Sequence, residues 1–330
     1  MLKALDIKTK KFYAIKILLE KEEIVKWWKY EKSFIDKIAE NDINNSSHCI
    51  KIVEDIVVLK NNVKYYGYVF EMLGLSLYEY IKLNNFMGFN IVQIQQIAKQ
   101  LLEGVDFLHK NNIIHTDLKP ENILFVNSNY EQIEDLPINI RNDKMNNMIY
   151  NNIKCCDIKI IDFGSALLDD GECYGIINTR QYRAPEVIFQ CCPIGEKSDI
   201  WSIGCILYEL YTGDILFPTH DDAEHLCLIQ KSCGYFPNWM IRDSDYKDLK
   251  KLFEKYDKNK YKIIVKKCNN YDKIKETLKY QDRIGKFAHP YHHIFDDFVK
   301  YILNIDPIDR PSASEALKHP FFKTDFQSLI

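Results

Sequence analysis

His115-Thr116-Asp117-Leu118-Lys119-Pro120-Glu121-Asn122 is the stretch on which the reading of this chain turns. It holds an aspartate able to take a proton from a hydroxyl and a lysine able to neutralise charge on a moving phosphoryl group. It ends on an asparagine that offers a neutral oxygen to a metal ion. A polar octet following a helix is usually just a solvated loop, so the chemical reading needs support from elsewhere. Two later motifs supply it. Forty residues past Asn122 an apolar strand runs into Asp-Phe-Gly, Ile160-Ile161-Asp162-Phe163-Gly164, and Ala184-Pro185-Glu186 follows.

In that order and spacing the three motifs resemble a eukaryotic protein kinase. The resemblance implies an α+β, bilobal fold with a small antiparallel sheet followed by a mainly helical lobe. Composition agrees with a large globular unit: 330 residues, 46% of them apolar, suffice for one bilobal unit or two compact domains. The net charge of −3 sets up no global attraction to nucleic acid or to anionic membranes. The ten cysteines include the adjacent pairs Cys155-Cys156 and Cys191-Cys192 but no zinc-type spacing, and read as scattered thiols in a reducing compartment. Neither a signal-peptide profile nor a bilayer-length apolar run is present. The expectation is a monomer in nucleus or cytoplasm, with no direct nucleic-acid or membrane partner.

Around the motifs, local patterns predict the elements. Lys11 to Leu18 reads as a strand on which Lys16 points with Ala14 and Leu18. A solvent-facing lysine on an edge strand is the plain alternative. The resemblance instead makes Lys16 the lysine that holds the α- and β-phosphates of ATP. A helix over about Ile24 to Glu40 carries its partner acid; Glu22, Glu23, Asp36 and Glu40 compete, and Glu31 is preferred as mid-helix, near Phe34, Ile35 and Ile38. Ile50–Leu59 and Tyr65–Met72 form a hairpin around Asn61-Asn62. The segment Phe70-Glu71-Met72-Leu73-Gly74 then matches the kinase hinge, with Glu71 and Leu73 at the adenine and Phe70 behind it. Ser76 and Glu79 make a capping box, so the first lobe covers 1–73 and the second 74–330.

Apolar residues at helical spacing from Ile91 to His109 predict a buried helix leading to the octet. Ile123–Val126 is a strand with Leu124 as a floor for adenine. The Asn-rich stretch 127–157 is expected to be an inserted hairpin or a mobile excursion. Ser198 to Tyr211, stopped by Gly213, is a central helix. The stretch 243–282, dominated by Lys, Asp, Tyr and Asn, is expected to be a solvated helical insertion.

The resemblance narrows to the CLK/LAMMER family of dual-specificity kinases in the CMGC group. It rests on His-Thr-Asp-Leu-Lys-Pro-Glu-Asn at 115–122, Asp-Phe-Gly-Ser-Ala at 162–166, Thr-Arg-Gln-Tyr-Arg-Ala-Pro-Glu at 179–186 and Phe-Pro-Thr-His at 217–220. Glu224-His225-Leu226 begins like the family's namesake segment, and Cys227 to Lys231 departs from it. The family implies transfer of the γ-phosphoryl of ATP to Ser or Thr, with Tyr also open, on Arg/Ser-rich splicing-factor-type proteins. Asp117 and Lys119 would be catalytic, Asn122 and Asp162 would hold Mg²⁺, and Ala14, Lys16, Glu31, Glu71, Leu73 and Leu124 would form the ATP site. Glu186 with Arg310 resembles the family's structural ion pair, and Asp199 the acid bracing the octet. Glu121, Asp169, Asp170 and Glu172 either attract basic peptides or are ordinary surface acids.

Two departures qualify this. Thr116 stands where most kinases have an arginine that binds a phosphorylated activation loop. No glycine precedes Lys16, although kinases place a Gly-rich phosphate-covering loop there. Met1 is therefore expected to fall inside the family's second strand, with its first strand and that loop missing. A pseudokinase-like scaffold with weak or no transfer is the alternative reading.

Overall fold

A computed structural model of the chain describes residues 1–19, 22–61, 63–134, 136, 138–139, 149–171 and 173–326. Asn62 and Glu172 lie outside them. The N-terminal part is a four-stranded antiparallel sheet of order β1-β2-β4-β3, made of β1 (Leu2–Leu5), β2 (Phe12–Leu19), β3 (Ile52–Lys60) and β4 (Val63–Glu71). β-Branched and aromatic residues are frequent in β2, β3 and β4, as a half-buried pleated surface favours. The β1–β2 turn is closed by Asp6, whose carboxylate accepts from the Lys8 N–H at 2.8 Å and the Thr9 hydroxyl at 2.6 Å. On β2, Ala14 lies opposite Phe70 and Lys16 opposite Tyr68.

Between β2 and β3 runs α1 (Glu22–Asn41), slightly longer at both ends than its expected span. It buries Phe34, Ile35 and Ile38, spaced to share one helical face. Trp28 lies flat on Tyr68, ring centroids 4.1 Å apart, which fixes the helix against the sheet.

The chain then enters the helical part through α2 (Leu77–Leu83), opened by the reciprocal Ser76–Glu79 capping box. α3 (Ile91–Lys110) starts on a second capping box, Asn90 with Gln93, and buries Ile94, Ala98, Leu101, Leu102, Val105 and Leu108. Four short strands follow in two pairs: β5 (Ile113–Ile114) with β10 (Leu167–Leu168), and β6 (Ile123–Phe125) with β9 (Ile158–Ile160). Between β6 and β9, β7 (Tyr130–Ile133) and β8 (Tyr150–Ile153) pair antiparallel, so the described residues of the insertion over 127–157 agree with the hairpin alternative. Buried Tyr150 anchors it by donating to the Gly88 carbonyl at 3.0 Å.

After the short α4 (Pro185–Phe189) comes α5 (Lys197–Thr212), buried along almost its whole length. Gly213 ends it with φ +81, and a Cβ there would collide with the Phe86 carbonyl; glycine meets both demands. α6 (Asp222–Cys233) carries Glu224-His225-Leu226, all buried.

The stretch 243–282 corrects the expectation of a solvated helical insertion. β11 (Phe236–Pro237) and α7 (Asn238–Asp243) precede it. Beyond α8 (Lys247–Lys250), the strands β12 (Phe253–Lys255) and β13 (Lys260–Ile263) complete a small sheet of order β11-β13-β12. Only α9 (Tyr271–Tyr280) is a helix of more than two turns there. Phe253, Ile263, Cys268 and Ile274 are buried and join the main core, so this segment is held by apolar contacts. α10 (His293–Ile302) and α11 (Ala313–Ala316) close the fold. The architecture is α+β and bilobal, a small antiparallel sheet over a mainly helical lobe.

Candidate active site

The two short strand pairs build the site. β5 and β6 bracket the octet, while β9 and β10 bracket Asp162–Ala166, and each pairs with a strand from the other set. The two loops therefore lie side by side. Ile123 sits opposite Ile160, and the Ile161 N–H donates to the Asn122 carbonyl at 2.9 Å, bringing Asn122 and Asp162 together.

Asp199, fully buried near the start of α5, holds the octet from below. Its carboxylate accepts from the backbone N–H groups of His115 and Thr116, both at 2.9 Å, and contacts His109 Nε2 at 3.0 Å. Thr116 and Asp162 both sit at φ +67, a region costly for residues with a Cβ and seldom adopted without surrounding restraint. Thr116 is restrained by its hydroxyl, which donates to the Ser165 carbonyl at 2.6 Å. Phe163 is fully buried, its ring edge-on to His115 with centroids 5.2 Å apart.

Within the octet, Lys119 Nζ lies 2.6 Å from Asp117 Oδ2. Asp117 Oδ1 accepts from the Thr179 N–H at 2.9 Å and the Thr179 hydroxyl at 2.7 Å. Lys119 reaches the same hydroxyl oxygen at 3.0 Å. Burial alone would raise the Asp117 carboxyl, but the bonds from Lys119 and Thr179 outweigh it and hold the group below its ordinary value. Asp117 is thus ionised and held in place by these bonds.

Asn122 spends its amide nitrogen on the Asp117 carbonyl, 2.9 Å away, which leaves its oxygen for a cation. Asp162 is exposed, one carboxylate oxygen accepting from the Gly164 N–H at 3.3 Å. Among the described residues no three His, Cys, Asp or Glu side chains gather as a metal cage. A pair of hard oxygen donors without a cage suits Mg²⁺, which usually keeps water and phosphate in its other positions.

Lys16 reaches over from the sheet. Its Nζ lies 2.7 and 2.6 Å from the two oxygens of Glu31, a nearly buried carboxylate on α1. Asp36, a competing acid, instead pairs with Lys32 at 2.8 Å. The α1 helix is also tied to the Asp162 loop, since Tyr30 donates to the Ala166 carbonyl at 2.8 Å. Ala14, Glu71, Leu73 and Leu124 are all half-buried. Glu71 ends β4 opposite Tyr13, and Leu124 forms a bridge with Ser76, just past Leu73. These residues mark the seam where sheet passes into helices.

Glu186 and Arg310 form a buried two-pronged ion pair at 2.7 and 2.9 Å. Thr179, His109 and Ser165 were not singled out from sequence. Thr179 stood in the Thr-Arg-Gln-Tyr-Arg segment, but nothing local signals that it reaches residues sixty positions back.

Residues 1–322 match the protein kinase domain family, and the chain belongs to it. Within that class it is similar to the dual specificity protein kinases CLK2 of Homo sapiens and lkh1 of Schizosaccharomyces pombe. It is 35% identical to CLK2 over 94% of this chain and 58% of the relative. It is 35% identical to lkh1 over 91% of this chain and 41% of the relative. The chain thus spans 58% of the length of the human relative. The crystal structure of a kinase domain superposes with a TM-score of 0.84 at 33% identity, covering 97% of this chain and 90% of that one.

Proposed function

We propose that this chain is an ATP-dependent protein kinase that phosphorylates Ser and Thr, and also Tyr, its two functional regions being 1–73 and 74–330. The observation that carries the reading is the cluster of Asp117, Lys119 and Asn122 beside Asp162, with the Lys16–Glu31 pair across from it. Asp117 orients the incoming hydroxyl and takes its proton, and Lys119 neutralises charge on the transferring phosphoryl. Lys16, held by Glu31, contacts the α- and β-phosphates. Ala14, Leu73 and Leu124 give adenine apolar walls, and the backbone at Glu71 and Leu73 gives it polar partners. Asn122 and Asp162 would hold Mg²⁺, which would supply neutralisation of the phosphate charge.

The substrates we assign are basic, Arg/Ser-rich proteins met in nucleus or cytoplasm by a monomeric enzyme. Exposed Glu121, Asp169 and Asp170 support this by favouring positive peptides at encounter. The test is γ-phosphoryl transfer from ATP to an Arg/Ser peptide and to an acidic peptide of equal length, with Mg²⁺ present or chelated. Transfer is expected to the basic peptide only, to require Mg²⁺ and to vanish in Asp117→Asn. ATP binding without transfer to either peptide would make the chain a scaffold instead.

A further inference from the structure

At the C-terminal end of α6, a hollow of about 510 Å³ opens among that helix, α9, the 283–286 turn and α10. Four cations line it, Lys231, Arg283, Lys286 and Lys300, and no acid is among its lining residues. All four are exposed, and none makes a salt bridge among the described residues. Such a concentration is unexpected in a chain whose net charge is −3. The carbonyl end of α6 at Cys233 and Gly234 contributes roughly half a negative charge there, against four full positive ones. Asp296, under the hollow beside Gly285 and Lys300, subtracts one more charge, and the cations still outnumber the negative groups.

The floor is rigid. Gln281 donates to the Ser232 hydroxyl at 2.8 Å and the Ile284 N–H to the Ser232 carbonyl at 3.1 Å. Gly285, at φ +90, lies under the Lys300 stem, and its N–H is held by Asp296 at 2.9 Å. A second hollow of about 830 Å³ shares Cys233, Gly234, Tyr235, Ile284 and Lys300 with the first, and adds the cations Arg242 and Lys260 and the acids Asp306 and Asp309, so the phosphate belongs in the first hollow. The two form a continuous trough with Tyr235, stacked on Tyr256 at 3.9 Å, as an apolar ledge between them.

We propose that this trough docks a phosphoserine-bearing segment of a partner protein. A phosphoserine carries close to two negative charges and three acceptor oxygens at neutral pH, which suits several cations converging on one hollow. The adjoining hollow and its tyrosine ledge give the flanking peptide a place to lie. A membrane surface would engage a flat or convex basic face, and these cations surround a concavity. The inference does not rest on catalysis, because docking needs neither ATP nor transfer.

The test is fluorescence anisotropy of the whole chain, without nucleotide, with a labelled peptide whose phosphoserine is its only hydroxyl-bearing residue. The phosphopeptide is expected to bind at least tenfold more tightly than its unphosphorylated form, and more weakly as salt rises. Lys231→Glu with Arg283→Glu and Lys286→Glu should cut that affinity at least tenfold. The distant pair Lys8→Glu with Lys10→Glu should leave it unchanged. Circular dichroism confirms that each variant is folded. Equal affinity for both peptides, or no effect of the triple variant, overturns the proposal. So does inorganic phosphate displacing the peptide at its own equivalent concentration, which would mean a free-anion site. Binding to phosphatidylserine vesicles in place of the peptide would mean a membrane site and also overturns it.

Discussion

The Thr116 hydroxyl donates to the Ser165 carbonyl at 2.6 Å, so the octet is tied to the segment after Asp162 by a neutral hydrogen bond between two fixed loops. An arginine at this position would call for a phosphate on the activation segment; threonine supplies its contact without one. Transfer activity is therefore expected to survive complete dephosphorylation. Phosphatase treatment followed by a peptide assay checks this, and an enzyme silenced by phosphatase and revived by one phosphate between Gly164 and Ala184 would refute it. Thr116→Ala should lower stability by about 1 kcal/mol, the usual worth of one such bond.

Asp117 is held ionised by Lys119 and Thr179 against the opposing effect of burial. Its folded pKa lies below the ordinary 3.8, so its contribution to stability is present above 3.8 and is lost only as pH falls through the lower folded value. Its ionisation sets no acid limb on the rate between pH 5 and 8. Asp117→Asn should cost at least about a thousandfold in kcat, the scale of removing a positioned base, while ATP affinity changes little. Initial rates across that pH range and ATP titration of the variant test both halves. Parallel loss of rate and binding would assign Asp117 to nucleotide binding.

Much of this was legible in the chain, for physical reasons that differ by residue. Asp117, Lys119 and Asn122 are neighbours in sequence, so their proximity follows from one loop. Glu31 was recognisable because a mid-helix acid on the face of Ile35 must meet the sheet. Gly213 announced the end of α5 through its backbone freedom. Thr179 was not recognised as a partner of Asp117, because a contact sixty-two residues apart leaves no periodicity. The β12–β13 hairpin was hidden for another reason. Its apolar members, Phe253 and Ile263, are separated by a run of lysines with Glu254 and Asp257, typical of solvated segments, and their burial comes from tertiary packing.

Lys16 and Glu31 share two short charge-assisted bonds, with Glu31 nearly buried and Lys16 about a third exposed. Glu31→Gln removes the charge and keeps the shape. The loss expected is about 1.5–3 kcal/mol of positioning, which corresponds to roughly ten- to a hundredfold in kcat/KM for ATP. Lys16→Met should act in the same direction through the phosphates themselves. Steady-state kinetics on both variants, with thermal melts to show that the fold is kept, decide the matter; an unaltered kcat/KM in Glu31→Gln would remove the pair from the mechanism.

The Glu186–Arg310 pair predicts a different outcome, in stability. Arg310 is fully buried and also donates to the carbonyls of Lys197, Asn304 and Ile305. Arg310→Ala leaves the Glu186 carboxylate buried and unpaired, which costs about 3–5 kcal/mol. Denaturant titration should show a fall of that size in the unfolding free energy, with the midpoint moving to lower denaturant. Removing both charges with Glu186→Gln and Arg310→Met should recover part of the loss, since the unpaired charge is the larger penalty. A double variant no better than Arg310→Ala would mean that the carbonyl bonds dominate.

Glu209 gives the fold a pH dependence between about 4.5 and 7. Burial raises its pKa to about 7 from an ordinary 4.5, although the Tyr182 hydroxyl donates to it at 2.6 Å and opposes the rise. A carboxyl with a raised folded pKa contributes stability in its protonated form. That contribution is fully present below about 4.5 and is lost as pH climbs through about 7. The melting temperature of the native chain should therefore fall between pH 6 and 8 by more than that of Glu209→Gln, which cannot ionise. Tyr182→Phe removes the bond that favours the carboxylate and should steepen the native trend. Identical pH slopes in the native chain and Glu209→Gln would show that Glu209 is already charged at pH 6, with the Tyr182 bond outweighing burial.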